Sequence, residues 1–113
     1  MSDCLFCRIV AGEIPADVVL STDEVLAFRD IDPKAPVHVL VVPREHFANI
    51  HELAIAAPSL TSSLIAAAAD VAESEGVADA YRLVFNTGAQ VGQSVFHVHG
   101  HILGGRDFTW PPG

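Results

Sequence analysis

Three histidines alternate with other residues near the end of the chain, in His97-Val98-His99-Gly100-His101-Ile102-Leu103. Successive side chains of a strand point to opposite faces. The spacing predicts His97, His99 and His101 on one face, with Val98 and Ile102 on the other. A lone strand histidine is usually structural or merely exposed. Three on one face of an apolar strand need partners, because burying imidazoles unpaired is costly, and clustered titratable groups mark functional sites. Two chemistries fit the pattern: imidazole is a common metal ligand, and it is also an acid, base or nucleophile near neutral pH. The preceding loop Asn86-Thr87-Gly88-Ala89-Gln90-Val91-Gly92-Gln93-Ser94 favours the second. Glycine lets backbone N–H groups approach a ligand closely. Asn, Gln and Ser add neutral hydrogen bonds to an anion or a sugar. Beside the histidines, such a loop reads as a phosphate cradle.

The elements that must position these groups follow from periodicity. Phe6–Ala11 reads as a short helix or turn, broken by Gly12 and Pro15. Val18–Leu20 and Val25–Phe28 read as short strands about the turn residues Ser21–Asp23, and Asp30–Pro36 is a loop. Val37–Val42 is a continuous β-branched run, as in a strand buried on both faces. His46–Leu53 suggests a short helical segment. Ser59–Ser74 is the clear helix, with Leu60, Leu64, Ala67/Ala68 and Val71 at helical spacing, Pro58 at its start and Gly76 at its stop. Tyr81–Asn86 and Ser94–Leu103 are the last two strands, and Trp110–Gly113 is irregular. The sum is a single α+β domain over residues 1–113 with an antiparallel sheet.

Bulk properties narrow the function. The chain has 113 residues, half of them apolar, and a formal net charge of −8. That charge argues against nucleic-acid partners, which need Lys and Arg against phosphates, but not against one small anion held by amides and imidazoles. No apolar run reaches the ~18 residues of a membrane span. Met1–Cys7 carries Asp3 and no basic stretch, unlike a signal peptide. A cytoplasmic, membrane-free protein is expected.

The stretch Asn86-x-Gly88-x-x-x-Gly92-Gln93-Ser94-Val95-Phe96-His97-Val98-His99-Gly100-His101-Ile102-Leu103-Gly104-Gly105-Arg106 resembles the signature of the histidine triad (HIT) superfamily, with histidines alternating with apolar residues. Gly104-Gly105-Arg106 and the ending Trp110-Pro111-Pro112-Gly113 are similar to the Hint branch. So are Phe6-Cys7-x-Ile9-x-x-Gly12-Glu13-Ile14-Pro15 and Phe28-x-Asp30-Ile31-x-Pro33-x-Ala35-Pro36-x-His38, in the same order. The resemblance implies a five-stranded antiparallel sheet with one long and one or two short helices. It implies a homodimer joining two sheets into one of ten strands, and AMP- or GMP-linked substrates. By position, His99 is implied as nucleophile, His38 and His97 as the network that orients it, and His101 as a phosphate contact. Ser94 would sit near the leaving group. Asn86, Gly92 and Gln93 would line the phosphate site, Asp30 would take the ribose hydroxyls, and Phe6, Ile9, Phe28 and Ile31 would hold the base. Gly100 departs from the motif, standing where an apolar side chain is usual, and predicts a close backbone approach or a looser site. Arg29 beside the base pocket is a second departure.

The implied chemistry is nucleotide hydrolysis, purine nucleoside phosphoramidate or acyl nucleotide, through a covalent nucleotidyl-His99. The other ring nitrogen of His99 must be held, either by a backbone carbonyl or by a relay through His97 and His38. No metal is needed for the reaction. Alternatives are a dinucleoside polyphosphate hydrolase, a nucleotidyl transferase, or a nucleotide-binding regulatory protein with incidental catalysis. Cys4 and Cys7 form a second motif. C-x-x-C spacing suits metal or redox chemistry, and with His46 and His97 it makes a Cys/Cys/His/His set for structural zinc, a pattern similar to that of bacterial Hint-like proteins. The redox reading lacks a preceding strand, and the plain reading is two small core residues. His51 reads as a surface residue, and the Trp110 tail as a segment near the site.

Overall fold

The computed structural model describes residues 3–113, so Met1 and Ser2 of the leading stretch lie outside the described residues. Among the described residues the helices are α1 (Leu5–Val10), α2 (Ile50–Ala56) and α3 (Pro58–Ser74), and the strands are β1 (Val18–Ser21), β2 (Val25–Arg29), β3 (Val37–Pro43), β4 (Tyr81–Phe85) and β5 (Gly100–Gly104). The strands form one antiparallel sheet in the order β1-β2-β3-β5-β4. The expected α+β architecture, one long helix and two short ones on a five-stranded sheet, is what the chain adopts. No helix among the described residues is long and apolar enough to cross a membrane.

Both faces of the sheet are covered at its centre. Val25, Ala27, Val39 and Val41 pack with Leu60, Leu64, Ala67, Ala68 and Val71 of α3. The alternate residues Leu26, Phe28, Leu40 and Val42 pack with Phe6 of α1 on the opposite face. Two-sided burial explains why β3 is apolar at nearly every position instead of alternating. α3 begins with Pro58 in its first turn, where a missing N–H is harmless. α1 is capped by a sulfur: Cys4 Sγ accepts the Cys7 N–H at 3.3 Å.

Two expected elements are shifted. The predicted helix His46–Leu53 begins only at Ile50, because Asn49 caps it by accepting the Glu52 N–H at 2.9 Å. His46 is thereby left in the turn before it. The predicted strand Ser94–Leu103 is regular only over Gly100–Gly104. Upstream the chain leaves the sheet, because the Val98 N–H donates to the Phe47 carbonyl at 2.7 Å and the Gln93 side-chain amide donates to Val95. His97 and His99 therefore precede the strand. Alternation still holds across the break: Val98 and Ile102 join the core under α3, and the His99 and His101 rings meet at 5.0 Å between centroids.

Gly100 is a close approach. It pairs with Phe85 across β4 and β5, and a Cβ there would lie 2.7 Å from Phe85 Cζ. The Phe85 ring fills the space that the motif usually gives to a side chain at 100. Gly100→Ala is expected to lose about 1–3 kcal/mol by overpacking, and Gly100→Ala with Phe85→Leu to regain most of it. Urea unfolding of wild type, single and double variants measures both; an unshifted single variant would contradict this packing.

Candidate active site

Backbone groups set the hydrogen on each imidazole of the triad region. His99 Nδ1 lies 2.8 Å from the His97 carbonyl oxygen. A carbonyl only accepts, so Nδ1 carries the hydrogen and Nε2 keeps its lone pair. The Lys34 backbone N–H donates to His38 Nδ1 at 3.0 Å. The His38 hydrogen is therefore on Nε2, which donates to His101 Nδ1 at 2.9 Å. That leaves the His101 hydrogen on Nε2. The two orienting devices open in the sequence thus resolve: a backbone carbonyl holds His99, whereas His38 orients His101. His97 reaches His99 only through its main chain. Its own Nε2 donates to the Pro43 carbonyl at 2.8 Å.

A cavity of about 410 Å³ opens in front of His99 and His101. Its lining includes Phe6, Ile9, Phe28, Ile31, Asp30 and Ser94, with Phe6 and Phe28 buried and Ile31 fully exposed. The structure so brings together the residues expected to hold base, ribose and leaving group. Phe6 packs edge-on against both Phe28 and His99, at 5.5 and 4.9 Å between centroids. Other expected residues lie elsewhere. Asn86 lines a second hollow of about 320 Å³ with Asp30, Lys34, His38 and His101. Gln93 is buried, and its side chain is spent on the loop: it accepts from Gly88 N–H at 2.9 Å and donates to Ala48 and Val95 carbonyls at 2.7 and 3.1 Å. Neither Gln93 nor Gly92 is among the residues lining either hollow. Arg29 does line the cavity of about 410 Å³, as expected, but its guanidinium is taken up by Glu75, with Asp17 at 3.4 Å. His51 is exposed, as expected. Walls such as Ile14 and Pro15 were part of a recognised motif without an assigned role. The Lys34 N–H and Pro43 carbonyl could not be found from side-chain chemistry at all.

Cys4, Cys7, His46 and His97 converge, their donor atoms all within 4.8 Å of one another. His97 Nδ1 is 3.4 Å from each sulfur and 3.2 Å from His46 Nδ1, and Cys7 Sγ is 3.3 Å from His46 Nδ1. A tetrahedron of sulfur and nitrogen ligands at about 2.3 and 2.0 Å has edges of about 3.3–3.8 Å. The four residues fit a metal ion of that preference. The Pro43 contact supplies the required tautomer, since it leaves the lone pair on His97 Nδ1. Asp30, His38 and His101 also bring donor atoms together, but there the ring nitrogens are engaged in the hydrogen-bonded chain.

Comparison with known proteins agrees with this geometry. The HIT domain family matches residues 11–108. An uncharacterized HIT-like protein of Synechococcus elongatus is 46% identical over 111 residues, covering 98% of this chain and 97% of that protein. One from Synechocystis is 47% identical over the same shares. Among solved structures, a HIT family hydrolase from Legionella pneumophila superposes with a TM-score of 0.94 at 47% identity, over 98% of this chain and 100% of that one. A HIT family hydrolase from Clostridium thermocellum gives 0.92 at 42% identity, over 96% of each.

Burial keeps the imidazoles neutral. It lowers His99 and His38 below the ordinary value. His101 is pushed down to about 4, first by burial and then by the His99 and His38 rings, with Asp30 opposing. An unfolded His101 takes its proton near pH ~6.5, so between there and about 4 the unfolded chain binds more protons. Its contribution to stability is full above pH ~6.5 and is lost as pH falls, by up to about 1.4 kcal/mol per pH unit. Unfolding free energies of wild type and His101→Gln, measured from pH 7.5 to 4.5, are expected to converge or cross toward low pH. Parallel curves would contradict a depressed His101.

Proposed function

We propose that this chain, which belongs to the HIT domain family, is a nucleotide hydrolase that cleaves purine nucleoside phosphoramidates or acyl nucleotides at the α-phosphorus. The observation that carries the reading is the state of His99: one ring nitrogen tied to the His97 carbonyl, the other bare, beside a cavity with an apolar wall. Phe6, Ile9, Phe28 and Ile31 hold the base, and Asp30 takes the ribose hydroxyls. His99 Nε2 attacks phosphorus as the bond to the leaving nitrogen or oxygen breaks. The leaving group takes a proton from the Ser94 hydroxyl or an imidazole. The His101 Nε2–H faces the charge on the phosphoryl oxygens, neutral dipole against anion. Water then attacks the nucleotidyl-histidine, gives its proton to the group that protonated the leaving group, and releases the mononucleotide with His99 restored. Asn86 lines the neighbouring hollow together with Asp30 and His101.

Zinc suits the Cys4, Cys7, His46 and His97 set by ligand type and number. It would cross-link the N-terminal segment, the turn after β3 and the residue two places before His99, and no reaction step passes through it. β4 lies at the edge of the sheet, and pairing of two β4 strands would give the homodimer that the resemblance implies. The cytoplasm suits both thiolate ligands and nucleotide substrates.

Hydrolysis of adenosine 5′-phosphoramidate at neutral pH, with diadenosine triphosphate alongside, tests the reading. Wild type is expected to turn over the phosphoramidate preferentially, and His99→Ala to lose roughly 10³-fold or more in kcat while still binding AMP. Full activity in that variant would remove His99 as nucleophile. AMP binding without turnover of either substrate by wild type would favour a regulatory nucleotide-binding protein. Metal analysis of protein purified without chelators is expected to give one zinc per chain, and Cys7→Ser to lose the metal and unfold at lower temperature.

A further inference from the structure

Gly104-Gly105-Arg106 follows the triad, yet none of the three touches the proposed substrate cavity. Gly104 lies against Val77, whereas the contacts of Gly105 and Arg106 point to the loop between β2 and β3. Gly105 has φ +89°, a left-handed conformation that favours glycine, and a Cβ there would lie 3.0 Å from Pro36 Cβ. The chain so turns sharply against the end of that loop. Arg106 then reaches across: its Nε–H donates to the Lys34 carbonyl at 3.0 Å. The guanidinium is itself held, donating from Nη1 to the Asp107 carbonyl at 3.0 Å and lying 4.1 Å from the Phe108 ring centroid.

Lys34 is the residue whose N–H donates to His38 Nδ1. We propose that Arg106 is a positioning residue for the hydrolysis: by holding the Lys34 carbonyl it keeps the Lys34 N–H on His38, and so sets the direction of the His38–His101 hydrogen bond. The inference rests on the function proposed above for its kinetic consequence, but not for its structural one.

The hydrogen-bonded chain has two possible directions. In the observed one, Lys34 N–H donates to His38, His38 Nε2–H donates to His101, and His101 Nε2 bears a hydrogen. If the Lys34 N–H moves away, His38 Nδ1 is a buried acceptor without a donor. The remedy that restores a hydrogen bond is to reverse the tautomers, against Asp30 Oδ2 at 3.5 Å from His38 Nε2: His38 takes its hydrogen on Nδ1, and His101 donates from its Nδ1 to His38 Nε2. His101 Nε2 then presents a lone pair, which repels a phosphoryl oxygen where the other tautomer attracts it. Loop 30–36 has no helix or strand of its own; Asp32 N–H donates to Asp30 Oδ1 at 2.8 Å and the Lys34 ammonium to Asp32 at 2.9 Å, but the bond that holds the Lys34 carbonyl comes from Arg106. A lysine at 106 could offer a hydrogen bond to Lys34 but not the planar stack and second donor that hold the head group in place.

The test combines long-range ¹H–¹⁵N imidazole spectra of ¹⁵N-labelled protein, without nucleotide, with kcat for adenosine 5′-phosphoramidate. Wild type is expected to show His38 and His101 both protonated on Nε2. Arg106→Ala is expected to show averaged tautomers at both residues and a kcat lower by roughly ten- to hundredfold, with Arg106→Lys between. Arg82→Ala serves as control, because Arg82 also lies over the Phe108 ring, at 5.1 Å, and binds the Thr109 carbonyl. It is expected to keep the wild-type tautomers. Wild-type tautomers in Arg106→Ala, unchanged kcat beside averaged tautomers, or equal averaging in Arg82→Ala would each overturn the proposal. If wild type does not hydrolyse the phosphoramidate, the proposed reaction fails and the tautomer comparison alone upholds or overturns the clamp.

Discussion

A fully buried imidazole is tolerable only when both ring nitrogens have partners, and His97 meets that condition in a way that organises its surroundings. It has no solvent exposure. Its Nε2 donates to Pro43 at the end of β3, its Nδ1 faces the two thiols and His46, and its carbonyl accepts from His99. One residue thus joins the end of a central strand, the N-terminal segment and the ring of His99. Moving it would disturb the tautomer of His99 and the wall that Phe6 provides, since Phe6 lies between Cys4 and Cys7 and contacts the rings of both His97 and His99. The scaffold and the site are held by the same few bonds.

The two-sided sheet explains how such a site stays rigid. Under α3 the central strands bury Val39, Val41 and Ile102, which fixes the backbone from behind. On the other face, residues one position away on the same strands carry His38 and His101. A side chain displaced on the histidine face would have to drag packed core residues with it, and interiors at crystal-like density resist that. Irregular backbone is confined to the loops that bring N–H groups and carbonyls to the rings, at Lys34 and His97.

The fold was legible where hydrophobic period and punctuation agree. The continuous apolar run of β3 and the spacing of Leu60, Leu64 and Val71 placed the central strand and the long helix closely. The clustering of the candidate site was legible in its side chains: Phe6 and Phe28 line one cavity with His99 and His101, and the thiols and imidazoles converge as their types suggest. The start of the last strand was misread: alternation fits an extended segment whether or not it hydrogen-bonds to a neighbour, and Val98 bonds instead to Phe47. The Gln93 side chain was not legible in this way, because an amide serves a ligand or a loop equally well, and its three internal bonds appear only with the fold. What chose the tautomers was main chain. Carbonyls and N–H groups are the same in every residue, so no pattern of side chains could reveal which would meet which ring.

In the proposed reaction, that main-chain control is also how a chain of net charge −8 would manage a phosphate. A site built on lysine or arginine would meet the anion with full charges, strongest before any bond changes. Here the cations near the site are engaged elsewhere: Lys34 with Asp32 at 2.9 Å, Arg29 with Glu75, and Arg106 with carbonyls. Burial holds His38, His99 and His101 below their ordinary values, so near pH 7 they are neutral. Neutrality gives His99 the lone pair that a nucleophile needs, and it leaves His101 a hydrogen whose dipole gains most as charge builds on the phosphoryl oxygens. The direction of each ring then matters more than its charge. A neutral imidazole turned the wrong way is a donor replaced by an acceptor, which is why the backbone contacts that fix direction belong to the site as much as the histidines do.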